Sequence, residues 1–199
     1  MTAPRGRIDV PAAPTYAATS TNVTAAELGA SYHAGCPVGP DQLRRVQLSY
    51  WGFDAQPHTG TLIVNADAVS AVVGAFRRLY DERFPIRRME TVDRYGGDDR
   101  ASMAADNTSG FNCRFVAGTS RWSAHAYGRA IDVNTVENPY VQGSDVSPPA
   151  GAAFMDRSNV RPGMARWGGR LVDAFAAVGW QWGGRWSDPD YQHFSSTGG

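Results

Sequence analysis

Apolar positions alternate first along this chain and then fall into helical spacing. Leu43-Arg-Arg-Val-Gln-Leu-Ser-Tyr-Trp51 alternates apolar and polar residues, which predicts a strand. Thr59 to Asn65 predicts a second strand, and a turn around Asp54–Thr59 makes the two a hairpin-like pair with a longer loop. His58 falls in that loop and reads as solvent-facing. From Asp67, a suitable N-cap, the pattern becomes that of a helix running to about Arg83. Val69, Val72, Val73, Phe76, Leu79 and Tyr80 form its core-facing stripe, Arg77, Arg78 and Asp81 its outer face, and Pro85 ends it. Ile86 to Val92 and Phe111 to Phe115 read as short strands, separated by a polar, Gly-rich loop over 93–110 that is placed to shape a groove. Residues 134–150 read as a Pro- and Gly-containing loop. Arg161 to Val178 predicts a second helix, with Leu171, Val172, Phe175 and Val178 on one face and Gly179 closing it. Residues 1–35, rich in Ala, Thr, Pro and Ser at their start, read as a linker or loosely held arm before a domain over 36–199.

Two polar stretches carry the chemistry. Ser123-Ala-His-Ala-Tyr-Gly-Arg-Ala-Ile-Asp132 and Asp190-Tyr-Gln-His193-Phe together supply two imidazoles and two carboxylates. That suffices for a zinc site with three protein ligands, an open position and a general base. His125, Asp132 and His193 are the candidate ligands and Asp190 the candidate base, with Asp188 as its neighbouring rival. His125 and Asp132 are seven residues apart, roughly 10 Å of rise on a straight helix. One zinc cannot be reached by both across that distance. Gly128 permits a bend, after which Arg129 to Val133 reads as a strand with Asp132 on one face and Ile131 and Val133 on the other.

The pattern Ser-x-His-x-x-Gly-x-Ala-x-Asp followed by Asp-x-x-His resembles the zinc D,D- and L,D-peptidases of bacterial cell walls. Ser123, His125, Gly128, Ala130 and Asp132 fill the first motif, and the resemblance covers roughly residues 40–195. It implies the Hedgehog/DD-peptidase fold, an α+β arrangement of a small antiparallel sheet packed against a few helices. It also implies a Zn2+ cofactor, a peptidoglycan stem-peptide substrate and a secreted, cell-wall location. The carboxypeptidase and dipeptidase branches usually carry Glu in the second motif, whereas Asp190 and the preceding Trp-Gly-Gly segment resemble the L-alanyl-D-glutamate endopeptidase branch. D-alanyl-D-alanine carboxypeptidase is the alternative, and a zinc-stabilised binding module without turnover is the alternative from another class. In the family an Arg upstream of the first motif binds substrate and steadies the oxyanion. Arg114 is the best match, with Arg121 as its rival. Trp182 and Trp186 are candidates for lining the groove, or for the core.

Composition narrows the picture further. The formal net charge is zero, so nothing points to nucleic acid as a partner. No apolar run approaches a membrane span, no signal-peptide apolar region is visible, and a monomer is expected. Every basic residue that is not His is Arg, which excludes a Ser-x-x-Lys nucleophile and a lysine Schiff base. The two cysteines, Cys36 and Cys113, are expected to form a disulfide in an exported domain.

Overall fold

The computed structural model describes residues 14–198. In chain order its elements are β1 (Ala18–Asn22), α1 (Ala25–Leu28), β2 (Leu43–Trp51), β3 (Pro57–Asn65), α2 (Val69–Asp81), α3 (Asp99–Ala104), β4 (Ala130–Asp132), β5 (Tyr140–Gln142), β6 (Asp145–Ser147), α4 (Arg170–Ala176), β7 (Gln181–Trp182) and β8 (His193–Ser195). The first three strands form an antiparallel sheet in the order β1-β2-β3, and β4-β8-β7 form a second, while β5 and β6 make a small hairpin. This is the expected α+β architecture of small antiparallel sheets and a few helices.

Alternation along β2 and β3 turns Val46, Leu48, Tyr50, Leu62 and Val64 to one face, where the stripe of Val72, Phe76 and Leu79 on α2 covers them. Leu171, Val172 and Phe175 of α4 complete the core from the other side. Phe175 stacks on Phe194 of β8 at 4.3 Å and meets Phe76 edge-on at 5.9 Å, so one apolar centre holds both sheets. The opposite face of the first sheet buries Leu43 and Ile63 in a second cluster with Val23, Leu28, Val38 and Phe111. The Cys36–Cys113 disulfide lies in that cluster, with Cα atoms 5.8 Å apart. Closing a loop of 77 residues adds about 4 kcal/mol in the chain-entropy model.

Several sequence expectations are corrected. Within the stretch read as an arm, β1 pairs with β2 as an exposed edge strand, and Val23 and Leu28 are buried. Residues 1–13 lie outside the described residues. The strand expected over 86–92 does not form. Side-chain amides take the donors that a ladder would use, with Asn134 Oδ1 accepting from Arg87 N at 2.9 Å and Asn107 Oδ1 from Glu90 N at 3.0 Å. Phe111 to Phe115 is not a strand either, because its amides donate to three separate segments, at Ile63, His125 and Ser31. The loop over 93–110 contains α3, N-capped by Asp98, whose Oδ1 accepts from Arg100 N at 2.8 Å. The loop over 134–150 contains β5 and β6. The second helix is confined to Arg170–Ala176, since Gly168 adopts a left-handed φ of 66° just before it. The start of α2 shifts as well, because a 3-10 turn over Ala66–Ala68 occupies its expected first turn.

Arg87, Asp106 and Glu137 form a polar cluster around a partly exposed guanidinium. Arg87 bonds both Asp106 and Glu137 at 3.3 Å, and Glu137 is 3% exposed. Burial, then the neighbouring Asp106 carboxylate, push the Glu137 carboxyl up to about 7. A folded pKa above the unfolded one stabilises the protein at low pH, and that contribution is lost as pH rises through about 7. Glu137→Gln is therefore expected to flatten the decline in melting temperature between pH 5 and pH 8. A difference of about 2 °C or more is expected, the effect of about 1 kcal/mol in a domain of this size. Thermal denaturation of both proteins across that range checks it, and parallel curves would remove Glu137 as the cause.

Candidate metal centre

Strand register places the first two functional side chains. β4 and β8 pair antiparallel with Asp132 directly opposite His193 and Ile131 directly opposite Phe194. Side chains directly opposite lie about 5 Å apart at Cβ. Alternation sends Ile131 and Phe194 into the core and leaves the carboxylate and imidazole together on the other face. His125 arrives from a 3-10 turn over Ala124–Tyr127, where Ser123 Oγ accepts from His125 N at 3.3 Å. The turn ends at Gly128 with φ 66°, and a Cβ there would lie 2.5 Å from Asn65 N. The chain then enters β4, which is the bend the spacing requires.

The three side chains are buried, at 3%, 5% and 7% exposure for His125, Asp132 and His193. Their donor groups form a triangle in which the carboxylate meets each imidazole with a different oxygen. His125 Nε2 is 3.2 Å from Asp132 Oδ2, His193 Nδ1 is 3.2 Å from Asp132 Oδ1, and the two nitrogens are 3.2 Å apart. Nitrogen and oxygen donors about 2.0–2.1 Å from one tetrahedral zinc stand roughly 3.3 Å from each other. The two nitrogens stand at about that separation, and each is as far from one carboxylate oxygen, so the three groups surround a space that one such ion would take. The tautomer fits too. His125 Nδ1 lies 2.7 Å from Gly110 O, and a carbonyl only accepts, so the proton sits on Nδ1 and the Nε2 lone pair is left for the cluster.

Electrostatics tie the cluster together. Burial opposes a charged Asp132, but His125 and then His193 outweigh it and hold the carboxyl well below its ordinary range. Burial also opposes a charged His125, and Asp132 outweighs it, leaving that imidazole above its ordinary value. Asp190 occupies the turn before β8, where its N donates to Gly183 O at 3.1 Å and His193 N donates to its carbonyl at 3.3 Å. Its Oδ1 is buried without a hydrogen-bond partner, as is His193 Nε2. Burial pushes the Asp190 carboxyl up to about 6, with His193 opposing and Asp132 adding to that rise. After burial, Asp188 and Asp190 both raise the pKa of the Tyr140 hydroxyl, but Asp188 is not among the groups that shift His125, Asp132 or Asp190.

Arg114 is held by Asp99 at 3.0 Å, and its charge lowers the pKa values of both His125 and Asp190. Arg121 is exposed in the turn between Phe115 and Trp122 and does not join the cluster. Trp186 packs on the His193 ring at 5.3 Å and is 36% exposed, so it lines the cluster. Trp182 is turned away, its Nε1 donating to Tyr191 O at 2.9 Å. His58 pairs with Asp54 at 3.0 Å on the surface, apart from the site. Sequence reasoning misses the Gly110 carbonyl and the Asp99 anchor. Neither belongs to a motif, and a backbone acceptor has no residue-type signal.

The arrangement is that of an α+β domain, and part of it is similar to a peptidase family. Residues 117–196 match the family model described as D-alanyl-D-alanine carboxypeptidase, so over that stretch the resemblance carried by the two motifs is borne out. No curated protein and no solved structure matches the chain. His125, Asp132, Asp190 and His193 lie inside the matched residues, and Arg114 lies three residues before them. No helix among the described residues is long and apolar enough to cross a membrane.

Proposed function

We propose that this chain is a secreted zinc metallopeptidase that hydrolyses peptidoglycan stem peptides, with L-alanyl-D-glutamate endopeptidase as its activity. The donor triangle of His125, Asp132 and His193 beside a buried, unpartnered Asp190 oxygen carries this reading. Those three residues would hold the metal. Zinc, when bound, supplies Lewis acidity toward the scissile carbonyl and lowers the pKa of water toward about 7. Asp190 takes a proton from the attacking water and returns it to the leaving amine. The Arg114 guanidinium, steadied by Asp99, offers its charge to the developing oxyanion. Gly110 orients His125, and Trp186 limits the volume open beside His193.

The second reading is D-alanyl-D-alanine carboxypeptidase, favoured by the description of the matching family model. Both readings predict hydrolysis of purified peptidoglycan that a chelator abolishes and added zinc restores. New amino-terminal D-glutamate supports the endopeptidase, and released D-alanine supports the carboxypeptidase. Bound zinc with neither product would leave the binding module.

A further inference from the structure

A second concave site flanks the candidate metal centre. It is a cleft of about 410 Å³ whose lining includes Arg157, Arg166, Trp167, Trp182, Arg185 and Tyr191. Its volume is in the range of small-ligand sites, unlike a flat protein interface. No acidic residue lines it, and none of its three arginines forms a salt bridge among the described residues. The arginines are placed against aromatic rings, with Arg185 Cζ 4.5 Å from the Trp167 centroid and Arg157 Cζ 4.4 Å from that of Tyr191. Arg157 is a fixed wall of the cleft, its terminal N–H groups donating to Glu137 O at 2.7 Å, Phe154 O at 3.2 Å, Asn138 Oδ1 at 3.0 Å and Ala165 O at 2.5 Å, which leaves Arg166 and Arg185 for a ligand. Trp167 is 69% exposed, the most open of the large apolar side chains.

We propose that this cleft binds an anionic saccharide, a sugar unit carrying a carboxylate or a phosphate. The Arg166 and Arg185 guanidinium groups match the anion, with planar donors suited to either group, while Arg157 adds its charge. Trp167, with Arg185 over one face and most of its surface exposed, has its other face open to the C–H face of a sugar ring, and no acidic residue in the lining opposes the positive charge. The site shares the segment from Trp182 to His193 with the metal centre, Tyr191 following Asp190 directly and Arg185 preceding Trp186. A polymer seated in the cleft would therefore lie beside the metal centre.

The test titrates the full chain by calorimetry with three probes at low and high salt. They are a glycan strand stripped of peptide so that its lactyl carboxylates are ionised, a glycerol-phosphate oligomer, and a neutral N-acetylglucosamine oligomer. At least one anionic probe is expected to bind tenfold or more tightly than the neutral one, and to weaken as salt rises. Which anionic probe binds identifies the source of the charge. Arg185→Ala and Trp167→Ala, both at exposed positions, are expected to lose tenfold or more in that binding and to leave hydrolysis of a short soluble stem peptide unchanged. Equal binding of the neutral oligomer, no binding of any probe, or variants that bind like the wild type would overturn the proposal. A poly-glutamate peptide is titrated in the same way as a control; its binding in place of every saccharide would also overturn the proposal, and would mark a protein-docking site.

Discussion

Asp190→Ala is expected to keep a full equivalent of zinc and to lose at least about a hundredfold in peptidoglycan turnover, the usual scale of general acid–base catalysis. The two effects separate because the residue stands outside the donor triangle. Asp132 and His193 are set by strand register and His125 by its turn, and none of these depends on the Asp190 carboxylate. The carboxylate is placed for proton transfer, being buried, unpartnered at Oδ1 and within the field of all three candidate ligands. Asp188→Ala, measured alongside, is expected to stay near wild-type activity, because Asp188 is not among the groups that shift His125, Asp132 or Asp190. An active Asp190→Ala beside a dead Asp188→Ala would move the base to Asp188. Loss of zinc from Asp190→Ala would make Asp190 a ligand.

His193→Ala and His125→Ala are expected to lose zinc and activity together. Each removes one of three donors, so the remaining pair no longer spans a tetrahedral face. The fall in metal affinity should exceed the roughly 10–100-fold that loss of a supporting hydrogen bond costs. Elemental analysis after dialysis against chelator-free buffer, paired with the peptidoglycan assay, checks both variants. A variant that retains a full equivalent of zinc would exclude its residue from the ligand set.

How much of this was legible in the sequence follows from where each signal resides. β2 was readable from the alternation of Val46, Leu48 and Tyr50 with polar residues, β3 from Thr59 on by its apolar run Leu62 to Val64, and α2 by helical spacing over thirteen residues. The bend at Gly128 was readable from distance alone, since two donors seven residues apart on a straight helix cannot share a metal. Residues 86–92 misled because Ile86 and Met89 are apolar and buried, as in a strand, while their neighbours' amides are taken by Asn134 and Asn107 from far along the chain. Residues 161–169 misled in the opposite sense. Apolar positions continue at helical spacing, but side-chain contacts from Asn138 and Arg157 to Ala165 hold an irregular backbone. The choice of Arg114 over Arg121 also needed the fold, because only three dimensions show which guanidinium acts on His125.

The tight seat of Gly128 bears on how this chemistry can be moved. Asn65 N donates to Gly128 O at 2.8 Å, and the Asn65 amide side chain donates to Tyr127 O at 3.0 Å. Asn65 ends β3, a strand that the family match over 117–196 does not include. The turn bearing His125 thus takes its pose from a surface outside the matched residues. A graft of that stretch onto a foreign scaffold would carry every donor and leave behind the abutment that aims one of them. The portable unit of this chemistry is larger than its signature, and a transplant would have to bring the end of β3 with it.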